Sequence, residues 1–254
     1  MKLDKPVIGG PCWVELGTDD MEAAKAFYAE LFGWRSETDP RQEAGGYTVA
    51  HLGDAAVAAL TPLYQEGQPV AWTVSFAVRD ADETGRQVTV AGGTVLMGPV
   101  DVFDMGRFAV AADPSGAAFA LWQPRSFEGA ALFSAPGALG WVELLTREPA
   151  HARDFYTTVF GWTVNASERY TQWGLAGQDF GGMMVMDDKF PPEVPPHWLP
   201  YFAVADVDAA TATATGAGGT VLMEPTSLPD GPRIAVLRDT RGAVFGVYLA
   251  GERG

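Results

Sequence analysis

The sequence is poor in the residues that form disulfides, metal sites and nucleic-acid-binding surfaces. It contains one cysteine, Cys12, and three histidines, so no internal disulfide can form and few imidazole ligands are at hand. Its 17 lysines and arginines face 32 aspartates and glutamates, and the net charge of −15 disfavours nucleic acid and anionic membranes as partners. No apolar run is long enough for a membrane helix or a signal peptide, which predicts a cytoplasmic protein with no membrane partner.

The sequence does contain two versions of one long phrase. The first is WVELGTDDMEAAKAFYAELFGW, from Trp13, and the second is WVELLTREPAHARDFYTTVFGW, from Trp141, 128 residues later. A further pair, GGTVLMGP and GGTVLMEP, recurs 126 residues apart. Because order and spacing are kept across most of the chain, we interpret it as a tandem duplication. The copies cover residues 1–126 and 135–254, and a stretch rich in Gly, Ala and Pro joins them as a linker.

Each copy has the pattern strand, helix, three strands, and each copy runs through this pattern twice. The stretch CWVELGT alternates, with Cys12, Val14 and Leu16 on one face and Trp13 and Glu15 on the other, as in a strand. The stretch DDMEAAKAFYAELFG follows with helical spacing, an aspartate cap at its start and a glycine at its end. The pattern predicts an α+β fold of four βαβββ modules, two in each copy.

Four such modules, with FY…LFGW closing the first helix and DPSG before a last strand, resemble the vicinal oxygen chelate superfamily. This superfamily includes glyoxalase I, extradiol dioxygenases and bleomycin-resistance proteins. The two-domain actinobacterial type, described as glyoxalase-like or hydroxylase, is similar over nearly the whole chain. The resemblance implies two tandem glyoxalase/bleomycin-resistance-like domains, each with paired modules around a cleft. It implies the fold and leaves the reaction open.

In metal-dependent members of this superfamily, His, Glu or Gln on first and last strands bind a divalent ion. The matching positions here hold residues that are poor metal ligands: Trp13, Thr73 and Ala120 in the first copy, and Trp141, Leu199 and Gly246 in the second. We therefore predict no metal and no cofactor in either copy. The alternative is a displaced metal site that uses His51, His197 or Glu15. No phosphate loop, dinucleotide fingerprint or nucleophile elbow occurs in the sequence.

The predicted clefts carry acidic and aromatic side chains. Glu15 and Glu143 are candidate catalytic bases, since apolar surroundings raise the pKa of a carboxylate. The alternative interpretation pairs them with Arg107 and Arg233 in structural ion pairs. Phe76 and Phe202 recur between the copies and are predicted to be core residues. The candidate ligand-binding residues are Trp13, Tyr47, Arg107, Trp122, Trp141, Trp173, Tyr201, Arg233 and Tyr248.

These features favour a metal-free protein that binds a small apolar or aromatic molecule, in sequestration or resistance of the bleomycin-resistance kind. Two alternatives stay open. One is an enzyme of lyase, isomerase or hydroxylase type with a cleft glutamate as base, and the other is a metal-dependent glyoxalase or dioxygenase with displaced ligands. Because fused copies supply both clefts within one chain, either a monomer or a homodimer is compatible with the sequence.

Overall fold

The computed structural model describes residues 7–167, 170–188, 190–229 and 231–249. The first copy folds as two βαβββ modules, as the pattern predicted. The elements of its first module are β1 (Pro11–Thr18), α1 (Met21–Phe32), β2 (Arg35–Thr38), a 3-10 turn (Gln42–Ala44), β3 (Thr48–Leu52) and β4 (Ala55–Pro62). Those of its second module are β5 (Ala71–Ala77), α2 (Ala81–Val90), β6 (Thr94–Val102), β7 (Gly106–Ala112) and β8 (Ala118–Pro124).

The second copy repeats this order. Its first module comprises β9 (Leu139–Thr146), α3 (Pro149–Phe160), β10 (Thr163–Ala166), β11 (Tyr170–Leu175) and β12 (Gln178–Val185). Its second module comprises β13 (His197–Ala203), α4 (Val207–Gly216), β14 (Thr220–Ser227), β15 (Arg233–Arg238) and β16 (Val244–Leu249). None of the described helices has the length and apolar character needed to cross a bilayer.

The described strands form two eight-stranded mixed sheets, one in each copy. The strand order is β2-β3-β4-β1-β5-β8-β7-β6 in the first sheet and β10-β11-β12-β9-β13-β16-β15-β14 in the second. The two modules of a copy meet at an antiparallel pair, β1 with β5 or β9 with β13. The first and last strands of each module run parallel and adjacent, so four first and last strands fill the centre of each sheet.

Helix α1 illustrates how the sequence sets the element boundaries. The Asp20 side chain accepts a hydrogen bond from the Ala23 N–H at 3.0 Å, which caps the N-terminus. Gly33 ends the helix with φ at 71°, a left-handed conformation that glycine adopts without strain. Phe27 and Tyr28 lie on the buried face. The predicted caps and helical face are confirmed.

The two sheets share one large hydrophobic core, to which both copies contribute. Val14 and Leu16 of β1 point into it, together with Phe76 of β5 and Phe202 of β13. Strand β5 contacts β13 across the interface, α1 contacts α4 and α2 contacts α3. The prediction that Phe76 and Phe202 are core residues is confirmed, since both are fully buried in this cluster.

Buried hydrogen bonds link the copies with approximate two-fold symmetry. The Tyr28 hydroxyl of α1 donates to Asp239 Oδ2 in the second copy at 3.0 Å, and it accepts from Trp72 Nε1 at 3.1 Å. Tyr156 of α3 repeats the arrangement, donating to Asp113 Oδ2 of the first copy at 3.2 Å and accepting from Trp198 Nε1 at 2.9 Å. The repeated FY motif and the aspartate of the turn before the last strand therefore form the interface between the copies.

The tryptophan of each FGW motif also bonds across the interface. Trp34 Nε1 donates to the Gly137 carbonyl at 2.8 Å, and Trp162 Nε1 donates to the Gly9 carbonyl at 2.6 Å. The sheets occupy residues 11–124 and 139–249. These spans lie within the predicted copies 1–126 and 135–254, whose limits stay a prediction. The joining segment packs on the first sheet, since the Ala130 N–H donates to the Cys12 carbonyl at 2.8 Å.

One residue of β1 departs from simple alternation. Cys12 was expected on the face of Val14 and Leu16, but it clusters with Trp13 on the opposite face. An irregularity in the β1–β5 pairing between Pro11 and Trp13 accounts for this, because a bulge shifts the facing of the residues at its position. Burial raises the pKa of the Cys12 thiol far above its usual range, and the charge of Glu15 adds to the effect.

Candidate functional site

Each sheet has a second face, turned away from the shared core, and we call these faces the first and second clefts. The first cleft carries Trp13, Glu15, Tyr47 and Phe108, and the second carries Trp141, Glu143, Tyr170 and Tyr201. The segments that follow the two edge strands of the first sheet approach each other at the opening of the first cleft. There the guanidinium of Arg41, after β2, lies 3.8 Å from the centre of the Phe103 ring, which follows β6.

A chain of hydrogen bonds runs through the first cleft. Trp13 Nε1 donates to the Tyr47 hydroxyl at 2.9 Å, and this hydroxyl donates to Glu15 Oε1 at 2.6 Å. Strand alternation places Trp13 and Glu15 on the same face, and Tyr47 reaches them from the position just before β3. The short distance to Glu15 is typical of an O–H donor bound to a charged carboxylate.

The electrostatic environment of Glu15 changes its acidity. Burial raises the pKa of Glu15, while the hydrogen bonds from Tyr47 and Trp13 lower it, and the net direction is upward. Burial also raises the pKa of Tyr47 well above its usual range, and the adjacent charge of Glu15 raises it further. The phenol therefore stays protonated and acts as a donor to the carboxylate.

The second cleft repeats the chain and adds one member. Trp141 Nε1 donates to the Tyr170 hydroxyl at 2.9 Å, and Tyr170 in turn hydrogen-bonds Glu143. The additional donor is the Tyr201 hydroxyl, which lies 3.0 Å from Glu143 Oε2. Burial raises the pKa of Glu143 against the lowering effect of both phenols. Sequence reasoning missed Tyr170, although the pair Tyr-Thr at 47–48 recurs at 170–171 and could have revealed it.

The two predicted arginines are not partners of the glutamates. Arg107 Nε donates to Asp82 Oδ2 of α2 at 2.8 Å, and its Nη1 donates to Asp101 at 3.0 Å. Arg233 makes the same contact in the second copy, to Asp208 of α4 at 2.7 Å. The interpretation of Glu15 and Glu143 as their ion-pair partners is therefore wrong. Both guanidiniums are committed to aspartates from neighbouring elements.

The remaining predicted aromatic residues fall on different faces. Trp173 is fully buried in the shared core against Tyr156 and Trp162, so its assignment to the cleft is wrong. Trp122 lies on the cleft face, where its Nε1 donates to the Phe127 carbonyl at 2.9 Å. Tyr248 belongs to the hydrophobic cluster of the second cleft, together with Tyr201.

The donors in the clefts do not fit a divalent cation. Among the described residues, His, Cys, Asp and Glu form no group of three or more that could hold a metal ion. Across the central strands Glu15 lies between Ala59 and Thr73, and Glu143 lies between Gly182 and Leu199. On the central strands that the structure describes, each glutamate thus has no carboxylate or imidazole as its direct cross-strand neighbour, and phenols already donate to it, whereas divalent ions need several oxygen, nitrogen or sulfur ligands.

The histidines considered as displaced ligands have other surroundings. His51 Nε2 is 4.0 Å from Glu37 Oε2, on the outer strand β2. Its Nδ1 is buried and has no partner among the described residues. His197 Nδ1 lies 2.9 Å from the Pro195 carbonyl, and burial lowers its pKa. Within the described chain neither joins a metal-binding group with Glu15.

The strand order, the module pairing and the repeated cleft define the class of protein. The chain belongs to the glyoxalase/bleomycin resistance protein/dioxygenase superfamily, whose family model matches residues 11–121 and 138–247. The resemblance inferred from the motifs and the α+β fold of two tandem domains are thereby confirmed.

Two named relatives align with most of the chain. The chain is 42% identical over 248 residues to the protein named "Putative glyoxylase CFP32" of Mycobacterium tuberculosis, and the match covers 94% of each chain. It is 40% identical over 257 residues to the anthracycline biosynthesis protein DnrV of Streptomyces peucetius, a match that covers 94% of this chain and 92% of DnrV.

Solved structures share the fold at low sequence identity. The 2,3-dioxygenase LapB from Pseudomonas sp. KL28 superposes with a TM-score of 0.69 at 14% identity, covering 98% of this chain and 95% of LapB. The Mn(II)-bound glyoxalase from Novosphingobium aromaticivorans has a TM-score of 0.68 at 17% identity, covering 95% of this chain and 82% of that chain. At these identities the likeness concerns the fold alone.

Proposed function

We propose that this protein binds a flat aromatic small molecule in a cleft and does so without a metal ion. The observation that carries the proposal is the Trp–Tyr–Glu chain in each cleft, which commits the cleft carboxylate to a phenol. A carboxylate held in this way serves as a fixed hydrogen-bond acceptor within an aromatic surface. Pockets for small molecules commonly combine such apolar walls with a few polar groups.

The lining of the first cleft suits an aromatic ligand. Trp13, Tyr47 and Phe108 lie on its face, and Tyr64 stands at its rim with 56% of its surface exposed. Partial burial raises the pKa of Tyr64, and the charge of Glu15 raises it further, so the two side chains are close enough to interact. Aromatic rings stack on flat ligands with favourable geometry and little loss of side-chain entropy.

The relatives narrow the ligand class. The anthracycline biosynthesis protein DnrV covers 94% of this chain at 40% identity. Anthracyclines are fused-ring aromatic compounds with phenolic hydroxyl groups. We therefore expect a fused-ring aromatic ligand, held by stacking and by hydrogen bonds to Glu15 or Glu143. That ligand, and a monomeric or homodimeric state, are predictions.

A second candidate function is supported by the acidity of the same carboxylates. Burial raises the pKa of Glu15 and of Glu143, and a carboxylate with a raised pKa is a better proton acceptor. A bound phenol or an activated carbon acid could lose a proton to such a base. In this alternative the protein is an enzyme that isomerises or eliminates on an aromatic substrate, and the glutamate catalyses the step.

A titration with quinizarin, the dihydroxy derivative of anthraquinone, tests the proposal. Protein purified in the presence of a chelator should shift the visible absorbance of quinizarin with a Kd on the order of micromolar, and added Mn²⁺ should not change it. Calorimetry gives the stoichiometry, and elemental analysis gives the metal content. Stoichiometric bound metal, or binding that requires added metal, would contradict the metal-free proposal.

The alternatives separate in the Glu15→Gln and Glu143→Gln variants. A binding role predicts weaker binding in one variant and no chemical change in quinizarin or related quinones. A catalytic role predicts a product with the wild type, and a variant that still binds but no longer forms it. Product formation that survives in both single variants and in the double variant would refute the glutamate as base.

A further inference from the structure

We infer that the ligand binds in the first cleft, where Glu15 recognises a hydrogen-bond donor such as a phenolic hydroxyl, and that the second cleft is a closed copy with a structural role. This inference rests on the proposed function and adds the location and the chemical group recognised. It depends on differences between two clefts that share the same Trp–Tyr–Glu chain.

The first difference lies in the carboxylates. Glu15 is partly exposed, and its carboxylate hydrogen-bonds Tyr47, through Oε1, and Trp13. Glu143 is only 6% exposed, and both Tyr170 and Tyr201 hydrogen-bond to it. A ligand can therefore reach the Glu15 carboxylate, whose two oxygens together accept about four hydrogen bonds, whereas the protein encloses the second carboxylate.

The second difference lies on the neighbouring strand. Thr73 is the cross-strand partner of Glu15 and is partly exposed, so a hydroxyl stands beside the carboxylate. In the second cleft the partner of Glu143 is Leu199, which is 2% exposed. The first cleft thus offers two adjacent polar groups, which suits a ligand with hydroxyl groups on an aromatic ring.

The third difference is a side chain that fills the second cleft. Tyr201 occupies the position of Ser75, and its ring lies directly over Gly246. A Cβ at Gly246 would overlap this ring, so the glycine is what admits it. The first cleft has Ala120 at the position of Gly246 and Ser75 at the position of Tyr201, so no aromatic ring projects from this pair of positions. The ring on this face is that of Phe127, which packs against Trp13, the cross-strand partner of Ser75.

The fourth difference lies in the segment that follows the last strand of the first module in each copy, β4 or β12. In the second copy Arg147 holds it, donating to the Val194 carbonyl at 2.8 Å and to the Pro191 carbonyl at 3.0 Å. Val194 thereby packs onto the cleft cluster. The position of Arg147 is Asp19 in the first copy, and its carboxylate instead accepts from Arg241 Nε at 2.7 Å. The first cleft keeps an exposed Tyr64 at its rim.

Isosteric glutamine variants give the primary test, with quinizarin as probe. Wild-type protein should bind one equivalent. Glu15→Gln should weaken binding roughly ten- to hundredfold, the usual effect of losing a charge-assisted hydrogen bond, while Glu143→Gln should stay within about twofold. Anthraquinone, which lacks the hydroxyl donors, should bind more weakly than quinizarin to the wild type and equally to both Glu15→Gln and wild type.

A reciprocal exchange of the cleft residues gives the second test. The double variant Ser75→Tyr with Ala120→Gly should close the first cleft and abolish binding, because it supplies both the ring and the glycine beneath it. The double variant Tyr201→Ser with Gly246→Ala should not weaken the first site. Thermal unfolding of each variant verifies that it folds, and the glutamine pair decides the question if an exchange variant does not.

The outcomes distinguish this inference from the proposed function. If wild-type protein binds no quinizarin, the proposed function is overturned, and this inference with it. If it binds two equivalents, or if Glu143→Gln weakens binding as much as Glu15→Gln, the aromatic-binding function stands and the assignment to the first cleft is wrong.

Discussion

Removal of the Tyr28 hydroxyl tests whether the repeated motifs hold the two copies together. The variant Tyr28→Phe keeps the ring in the core and removes one oxygen atom. Tyr28 is fully buried, and its hydroxyl both donates to Asp239 Oδ2 and accepts from Trp72 Nε1. The change therefore leaves two buried polar groups with one partner fewer, and Asp239 itself is 4% exposed.

The expected cost follows from these two contacts. A hydrogen bond to a charged group contributes about 1.5–3 kcal/mol, and a buried donor left unsatisfied costs about 1–3 kcal/mol. Asp239 keeps the backbone N–H groups of Arg241, Gly242 and Ala243 as donors to its other oxygen, which limits the loss. We expect the free energy of unfolding to fall by about 3 kcal/mol, which corresponds to a decrease in Tm of roughly 6–12 °C.

Reversible denaturant unfolding, followed by far-UV circular dichroism, measures the effect. The matched variant Tyr156→Phe should cost a similar amount, because Asp113 and Trp198 surround Tyr156 in the same way. Tyr64→Phe serves as a control, since Tyr64 is 56% exposed and should tolerate the change. A loss below about 0.5 kcal/mol in both Tyr28→Phe and Tyr156→Phe would refute the reasoning, because surface substitutions vary by that much.

Three further predictions concern the clefts and the core. Gly246→Ala should displace the Tyr201 ring and lower the free energy of unfolding by about 1–3 kcal/mol, whereas Ala120→Gly should cost less; urea unfolding compares them. Trp173→Ala should lower the free energy of unfolding by about 3–5 kcal/mol and leave the affinity of the folded protein for quinizarin unchanged. A loss of affinity without a loss of stability would show instead that Trp173 lines the cleft. Because burial raises the pKa of Glu15, the folded state binds the proton of this carboxyl more tightly than the unfolded chain does. The free energy of unfolding should therefore fall as the pH rises from 4.5 through the raised pKa. This pH dependence should be weaker in Glu15→Gln, and an identical slope in the variant and the wild type would refute the raised pKa.

The local features of the fold followed from the sequence because they depend on near neighbours. Alternation along β1 correctly placed Trp13 and Glu15 opposite Val14 and Leu16. The caps of α1 followed from the preferences of aspartate and glycine at helix ends. The recurrence of these phrases then gave the number of modules, because each copy uses the same neighbours.

Features that depend on distant contacts did not follow from the sequence. Arg107 could have faced Glu15 by alternation alone, and the helix α2 that presents Asp82 to it is placed by tertiary packing. Trp173 looked equivalent to cleft aromatics, yet it lies three residues after Tyr170 and so faces the opposite side of β11. The Cys12 bulge leaves no mark in the alternation pattern.

Repetition was also a poor guide to the site. The most visible shared phrases, FY…FGW and the turn aspartate, lie between the copies and hold them together. The tyrosine of the cleft recurs at a different spacing, 123 residues, because the intervening loops differ in length. Residues that differ between copies, Ser75 against Tyr201 and Thr73 against Leu199, carry the contrast between the clefts.

The reciprocal bonds of Tyr28 and Tyr156 bear on the origin of the chain. Each half presents a helix tyrosine and a turn aspartate on the same surface, and each tyrosine finds its acceptor on the other half. Two identical halves would satisfy one another by the same contacts, which is the geometry of an isologous homodimer. Gene fusion of such a dimer would preserve the contacts while releasing the two halves from identity. One half could then close its cleft and serve as a scaffold, while the other half kept a cleft open to solvent.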